Sequence, residues 1–230
     1  MRGDLNPIIR EACGARRYRV LLLPARHAAM TIRRLHIGGA EAREGWEVLD
    51  VREAAHVDHV GNALDLSRFA DATFTEVYAS HVLEHFDYVD ELPRVLAEWF
   101  RVLAPGGVLR LSVPDIDILS HLLLQRHVLD VNQRFQVMRM IFGGQTHAHD
   151  HHRVGLNQDF MAAFLDRAGF VNLQRVGRHG LFADTSETVV LGTPISLNIN
   201  AHKPQASQGA AAPGAPTSQN PQPREQGAPA

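Results

Sequence analysis

The chain has a single cysteine, Cys13, among its 230 residues, so no disulfide framework can form within it. An isolated thiol also points to a reducing compartment, and the cytoplasm is the expected location. Lysine is equally scarce: Lys203 is the only one, and the other basic residues are all arginine. The formal net charge of −2 leaves no surplus of either sign to drive wholesale attachment to nucleic acid or to an anionic membrane. Long apolar runs are missing as well. Val20 to Pro24 follows Arg16, Arg17 and Arg19, but it is shorter than the roughly 7–15 residues of a signal-peptide core. No segment nears the roughly 20 apolar residues of a membrane span.

From Lys203 to Ala230 the sequence lacks aromatic and large aliphatic side chains altogether and consists mainly of Pro, Gln, Ala, Gly and Ser. Such a segment cannot bury enough surface to offset its chain entropy, and a disordered tail is predicted. The expected organisation is a helical or irregular extension over residues 1–30, a folded domain over 31–202, and the tail over 203–230.

What is present is a core-forming share of hydrophobic residues, 45%, arranged in alternating patterns. Short strand-like runs fall at Leu35 to Ile37, Trp46 to Val51, Val57 to Val60, Phe74 to Ala79 and Val108 to Val113, each bounded by turn residues. Between the last two, Leu92, Val95, Leu96, Trp99, Phe100 and Leu103 recur at spacings of three and four. They predict an amphipathic helix stopped by Pro105-Gly106. Ile118 to about Ile141 predicts a long helix or a pair. Another helix carries Phe160, Met161, Phe164 and Leu165, with Asn157 as its cap and Gly169 as its stop. Strand patterns return at Val171 to Val176, Thr188 to Leu191 and Ile195 to Ala201. Strands alternating with helices indicate a mostly parallel α/β sheet covered on both faces. In such sheets ligands lie beyond the carboxyl ends of the strands.

Those strand ends carry the candidate residues. Gly38 and Gly39 follow the first strand and allow a close backbone approach, although a tight turn explains them equally. Asp50 ends the second strand, where a carboxylate can accept hydrogen bonds from both hydroxyls of a ribose; a solvated or capping aspartate is the alternative. Asn62, Asp65 and Leu66 follow the third strand and suit an adenine, or an ordinary loop. Ser80-His81-Val82-Leu83-Glu84-His85 follows the fourth and places two imidazoles and a carboxylate on one strand-to-helix turn.

The strings FTEVYASHVLEHF and ELPRVLAEWFRVLAPGGVLRLSVPD closely resemble class I S-adenosylmethionine-dependent methyltransferases, and in particular a bacterial type 11-like group. The resemblance runs from about Leu35 to Asp117. It implies a Rossmann-like fold with an antiparallel strand near the C-terminal edge of the sheet and helices on both faces. It implies S-adenosylmethionine as cofactor, with Gly38 and Gly39 at its methionine part, Asp50 at its ribose, Asp65 and Leu66 on the adenine side, and Ser80 and His81 facing the sulfonium. Two departures stand out. The glycine loop reads His36-Ile37-Gly38-Gly39-Ala40-Glu41, without the third small position, and Ala40 to Gly45 is too short for a full helix between the first two strands.

The expected activity is methyl transfer to a hydroxyl of a small molecule or a cell-surface glycan. His81, His149 and His152 are the candidate bases, because imidazole suits proton abstraction near neutral pH. His85 is a further candidate base by position, although Glu84 and His85 equally fit packing or capping at the turn. The resemblance extends to quinone O-methyltransferases that use a metal beside a Glu-His motif, which keeps Glu84, His85 and the histidine-rich segment 147–152 open as joint ligands. Ser80 stands where such enzymes carry another acid, which argues against that site. The segment His147-Ala148-His149-Asp150-His151-His152 leaves three readings open: a solvated loop, a substrate-contacting loop, or a metal site. The altered glycine loop also keeps a non-catalytic, methyltransferase-like binding module in view, and a metal-dependent hydrolase centred on the histidines is a third option.

Overall fold

The computed structural model describes residues 32–205. Cys13, the extension expected over 1–30 and the tail from residue 206 onward lie outside the described residues. In chain order the strands are β1 (Arg34–Ile37), β2 (Glu47–Asp50), β3 (His59–Val60), β4 (Phe74–Ser80), β5 (Leu103–Pro114), β6 (Val171–Val176), β7 (Val189–Val190), β8 (Thr193–Pro194) and β9 (Ser196–His202). The helices are α1 (Glu91–Val102), α2 (Ile116–Leu123), α3 (Val131–Phe142) and α4 (Gln158–Arg167). Seven strands form one sheet in the order β3-β2-β1-β4-β5-β9-β6, and β7 and β8 pair separately. The first five run parallel, while β9 is antiparallel to both β5 and β6. Strand order reverses between β1 and β4, which opens a crevice at their carboxyl ends.

Alternation along the strands sends successive side chains to opposite faces. Leu35, Ile37, Leu49, Val77, Ala79, Leu109, Leu111 and Ile199 enter one core with Leu92, Val95, Leu96 and Trp99 of α1 and Met161 and Leu165 of α4. Burial of each such large apolar side chain contributes about 1.5–3 kcal/mol. The other face carries His36 and Tyr78, which pack with Trp46 and Phe182. Cover there comes from the segment after β6, with a 3-10 turn at Thr185–Glu187. The first face is thus covered by α-helices, and the second by an irregular segment with one 3-10 turn. Turns alone join β1 to β2, β2 to β3 and β3 to β4.

Local signals explain most boundaries. The Asn157 side chain accepts from the Phe160 N–H at 2.9 Å and starts α4. Asp130 and Gln133 cap α3 reciprocally, so the apolar stretch from Ile118 to Ile141 resolves into two helices. Two expectations need correction. The strand expected from Val57 begins only at His59, because the Val57 N–H turns back to the Ala54 carbonyl. Helix α1 stops at Val102, ahead of Pro105-Gly106: Leu103 already pairs with Phe74, and Val108 resumes the ladder opposite Glu76, leaving the intervening residues as a bulge. Gly106 (φ +77°) sits in that bulge, and its N–H donates to the Lys203 carbonyl. Lys203 Nζ in turn donates to the carbonyls of Phe100, Arg101 and Leu103 at the end of α1. Lys203 thus ties the chain just after β9 to the end of α1. No helix among the described residues is long and apolar enough to cross a membrane.

Candidate active site

A cavity of about 460 Å³ opens at the carboxyl ends of β1 and β2. That volume falls within the range of small-molecule sites, roughly 300–1,000 Å³. Gly38 forms its floor with a left-handed backbone (φ +73°), and its N–H donates to the Leu49 carbonyl at 2.8 Å. A Cβ added to Gly38 would come within 2.8 Å of Val82 Cγ2, so the space above it is closed to any side chain. Asp50 is buried at the end of β2 and borders the same cavity. Its Oδ1 accepts from the Arg52 backbone N–H at 2.7 Å, and the largely exposed Arg52 guanidinium reaches both carboxylate oxygens at 3.2 and 3.4 Å.

Of the residues singled out from the sequence, Gly38, Asp50, Asn62, His81 and His149 line this cavity together. The others do not. Gly39 is buried against the His36 imidazole, and a Cβ there would meet His36 Nδ1 at 2.6 Å. Asp65 faces solvent and caps its own turn by accepting from the Ser67 N–H. Leu66 lies in the main core. Ser80 is turned away toward Thr185, with its Oγ 3.3 Å from Thr185 Oγ1. Ala63 and Leu64, rather than Asp65 and Leu66, border the cavity. The cause is the Asn62 side chain: its Oδ1 accepts from the Leu64 N–H at 2.9 Å and folds the chain back early. Arg52 and Val82 were missed, and nothing in their local sequence marks them.

His81 is the wall between two spaces. It borders the first cavity and also a second of about 290 Å³, lined by Gln136, Arg139, Met140, His152 and Thr185 among others. Its backbone is left-handed (φ +55°), which is uncommon for a residue other than glycine and is held by its N–H donating to the Ser112 carbonyl. The ring is fixed too. Ser196 Oγ donates to the Thr185 carbonyl at 3.0 Å, so its hydroxyl proton is committed. His81 Nε2 must then donate to Ser196 Oγ at 2.9 Å, which leaves Nδ1 unprotonated. Burial, with His152 nearby, pulls the imidazole down to about 4, so it is uncharged at neutral pH.

Glu84 lies behind His81. Its Oε1 is 3.5 Å from His81 Nδ1 and 3.9 Å from His152 Nε2, and burial pushes its carboxyl up to about 8. His152 is likewise drawn down to about 4 by burial. The histidine loop folds on its own carboxylate: Asp150 accepts from the Gly144 and Thr146 N–H groups and from Thr146 Oγ1 at 2.6 Å. These bonds hold the Asp150 carboxyl at about 2. The loop is pinned to the turn below it by the Arg153 N–H, which donates to the Glu84 carbonyl at 2.7 Å.

Comparison with known proteins places this arrangement in context. Residues 13–111 match the family model described as a methyltransferase domain, the first part of that match preceding the described residues. No curated protein sequence matches the chain. Among solved structures, a possible exported protein from Bordetella parapertussis is 14% identical, with a TM-score of 0.47 over 75% of this chain and 63% of its own. The CurJ carbon methyltransferase is 17% identical, with a TM-score of 0.45 over 76% of this chain and 49% of its own. A SAM-dependent methyltransferase from Archaeoglobus fulgidus is 16% identical, with a TM-score of 0.48 over 76% and 87%. The chain thus spans less than two thirds of the length of the first two.

Proposed function

We propose, for a chain whose residues 13–111 match a methyltransferase domain, that it uses S-adenosylmethionine to methylate a hydroxyl of a small molecule or cell-surface glycan in a reducing, cytoplasmic setting. The carrying observation is that His81 borders both cavities, the larger suited to the cofactor and the smaller to the acceptor. The residues present fit the cofactor. Gly38 borders the cavity with a left-handed backbone and no side chain, and the buried Asp50 carboxylate borders it too, held by the Arg52 backbone N–H and faced by the exposed Arg52 guanidinium. Asp50 would hold the ribose, Asn62, Ala63 and Leu64 the adenine, and the Gly38 backbone the methionine part.

S-adenosylmethionine supplies a methyl group on a positively charged sulfur, a strong electrophile with a good leaving group. The protein's work is then chiefly alignment, for which orientation can supply roughly 7–11 kcal/mol. A hydroxyl acceptor must also lose its proton, and a placed base contributes perhaps 10²–10⁴-fold. His81 Nδ1 is the ring nitrogen left to accept it, because Nε2 is committed to Ser196. His152 flanks the acceptor side, and His149 stands on the loop over the cofactor side.

Calorimetry with S-adenosylmethionine and its demethylated product tests this reading. Both should bind the native chain, and Asp50→Ala should weaken them at least about tenfold, or 1.4 kcal/mol. A second reading, a binding module without catalysis, is favoured by the Arg52–Asp50 pairing and by Gly39 being filled by His36. Failure of the native chain to bind either nucleoside at millimolar concentration would establish that second reading instead.

A further inference from the structure

We propose that Glu84, His85 and His152 form a binding site for one divalent first-row transition ion of the Zn²⁺ class. The three side chains each offer a ligand atom, and these atoms lie within 4.8 Å of one another. Glu84 carries the weight of the argument. It is 1% exposed, and neither carboxylate oxygen has a hydrogen-bond partner. An isolated buried carboxyl costs several kcal/mol unless something compensates it. No arginine or lysine among the described residues comes within ion-pair distance of it; its neighbours are the imidazoles of His81 and His152.

The imidazoles are prepared in the way metal ligands require. His85 Nδ1 is 3.1 Å from the His151 carbonyl, which can only accept, so Nδ1 carries the proton and Nε2 keeps its lone pair. A histidine that donates one ring N–H to a backbone carbonyl is oriented to ligate through the other nitrogen. The His152 ring lies beside the backbone of Met140 and Ile141 at the end of α3, and its Nε2 faces Glu84 Oε1. The two rings stand nearly perpendicular, with centroids 4.9 Å apart. Two imidazoles and one carboxylate, with no thiolate, suit Zn²⁺ or a neighbouring ion and are a poor set for Mg²⁺ or Ca²⁺, which prefer oxygen throughout.

The ligands come from two parts of the chain, the 3-10 turn Leu83–His85 and the end of the histidine loop. An ion bound there would fasten that loop to the turn, between a residue that borders the first cavity, His85, and one that borders the second, His152. The set differs from the one suggested by the loop's own spacing. Asp150 is spent on Gly144 and Thr146, and His147, His149 and His151 face solvent. This inference does not rest on the methyl-transfer reading.

The test uses the full chain, purified without a histidine tag, stripped with chelator and titrated with Zn²⁺ and, separately, Co²⁺. One ion per chain should bind with micromolar or tighter affinity, and the Co²⁺ form should show the visible absorption of a low-coordinate nitrogen and oxygen site. Glu84→Gln, nearly isosteric, and His85→Ala should each weaken Zn²⁺ by at least about 100-fold, since loss of a ligand exceeds the 10–100-fold typical of second-shell changes. Replacing His147, His149 and His151 together with Ala should leave the affinity unchanged. Absence of tight binding by the native chain would overturn the proposal. So would affinity that falls in the triple loop variant but survives in Glu84→Gln and His85→Ala. Nucleoside binding, measured on the same samples, reports folding and fails or succeeds independently of the ion.

Discussion

His81 Nε2 lies 2.9 Å from Ser196 Oγ, a contact that joins the turn after β4 to the first residue of β9 across 115 positions of sequence. Ser196→Ala would leave the ring N–H without its acceptor. It should cost about 1–3 kcal/mol of stability, and it should lower kcat more than it changes KM, because the ring loses its orientation while the acceptor cavity keeps its walls. Urea unfolding and steady-state kinetics on one preparation separate the two effects. Unchanged kcat would remove His81 from the reaction.

Gly38→Ala should damage the cofactor cavity through two separable terms. A left-handed backbone costs a residue with a Cβ about 1–2 kcal/mol, and the added Cβ would press on Val82 Cγ2 at 2.8 Å. The double variant Gly38→Ala, Val82→Ala relieves the contact and leaves the backbone cost. It should therefore recover part of the lost nucleoside affinity, but not all. Calorimetry that finds Gly38→Ala binding as well as the native chain would move the cofactor elsewhere.

His36 predicts an acid-sensitive fold. Its ring centroid is 3.9 Å from that of Phe182, Nδ1 has no partner, and burial draws the imidazole from 6.5 to about 4. Between those values the unfolded chain binds the proton and the folded one does not. Stability is therefore complete above about pH 6.5 and falls as pH drops toward 4, by up to about 3 kcal/mol from this group. His36→Phe keeps the aromatic packing and cannot titrate. Chemical denaturation at pH 7 and pH 4.5 should show a smaller difference for the variant than for the native chain; equal differences would exclude His36 as a source.

Lys203 should matter more than its place in a Pro- and Gln-rich segment suggests. Its ammonium closes the carbonyl end of α1 with three hydrogen bonds, two of them at 2.7 and 2.8 Å, and lies 4.6 Å from the Phe100 ring centroid. Lys203→Met retains much of the apolar stem but removes the charge. A loss of about 1–3 kcal/mol is expected, the range for hydrogen bonds to a charged group, and thermal unfolding at low and high salt would reveal it. A chain truncated after residue 205 should keep full stability by the same measurement.

The pattern of apolar residues was enough to read most of the fold. The spacing of Leu92, Val95, Leu96 and Trp99 dictates one buried face of α1, and the short runs around Ile37, Leu49 and Val77, alternating with helical patterns, fit a buried parallel sheet. Asn157 and Gly169 punctuate α4 through chemistry confined to a few neighbouring residues, so local sequence suffices. That Gly38, Asp50 and His81 border the cavity was legible for the same reason: each ends or directly follows a strand, and crevices in such sheets open at the strand ends.

Long-range packing decided what lay beyond these local rules. Whether Asp65 or Ala63 faces the cavity depends on a side-chain turn at Asn62 and on the demand of the core for Leu66. The fate of Gly39 depends on the ring of His36, and that of Lys203 on the carbonyls of a helix about a hundred residues earlier. Most of all, the meeting of Glu84 and His85 with His152 depends on where α3 ends and the loop returns, a convergence of distant segments that no spacing along the chain encodes. Periodicity specifies which face of an element is buried; only the assembled packing specifies which side chains meet there.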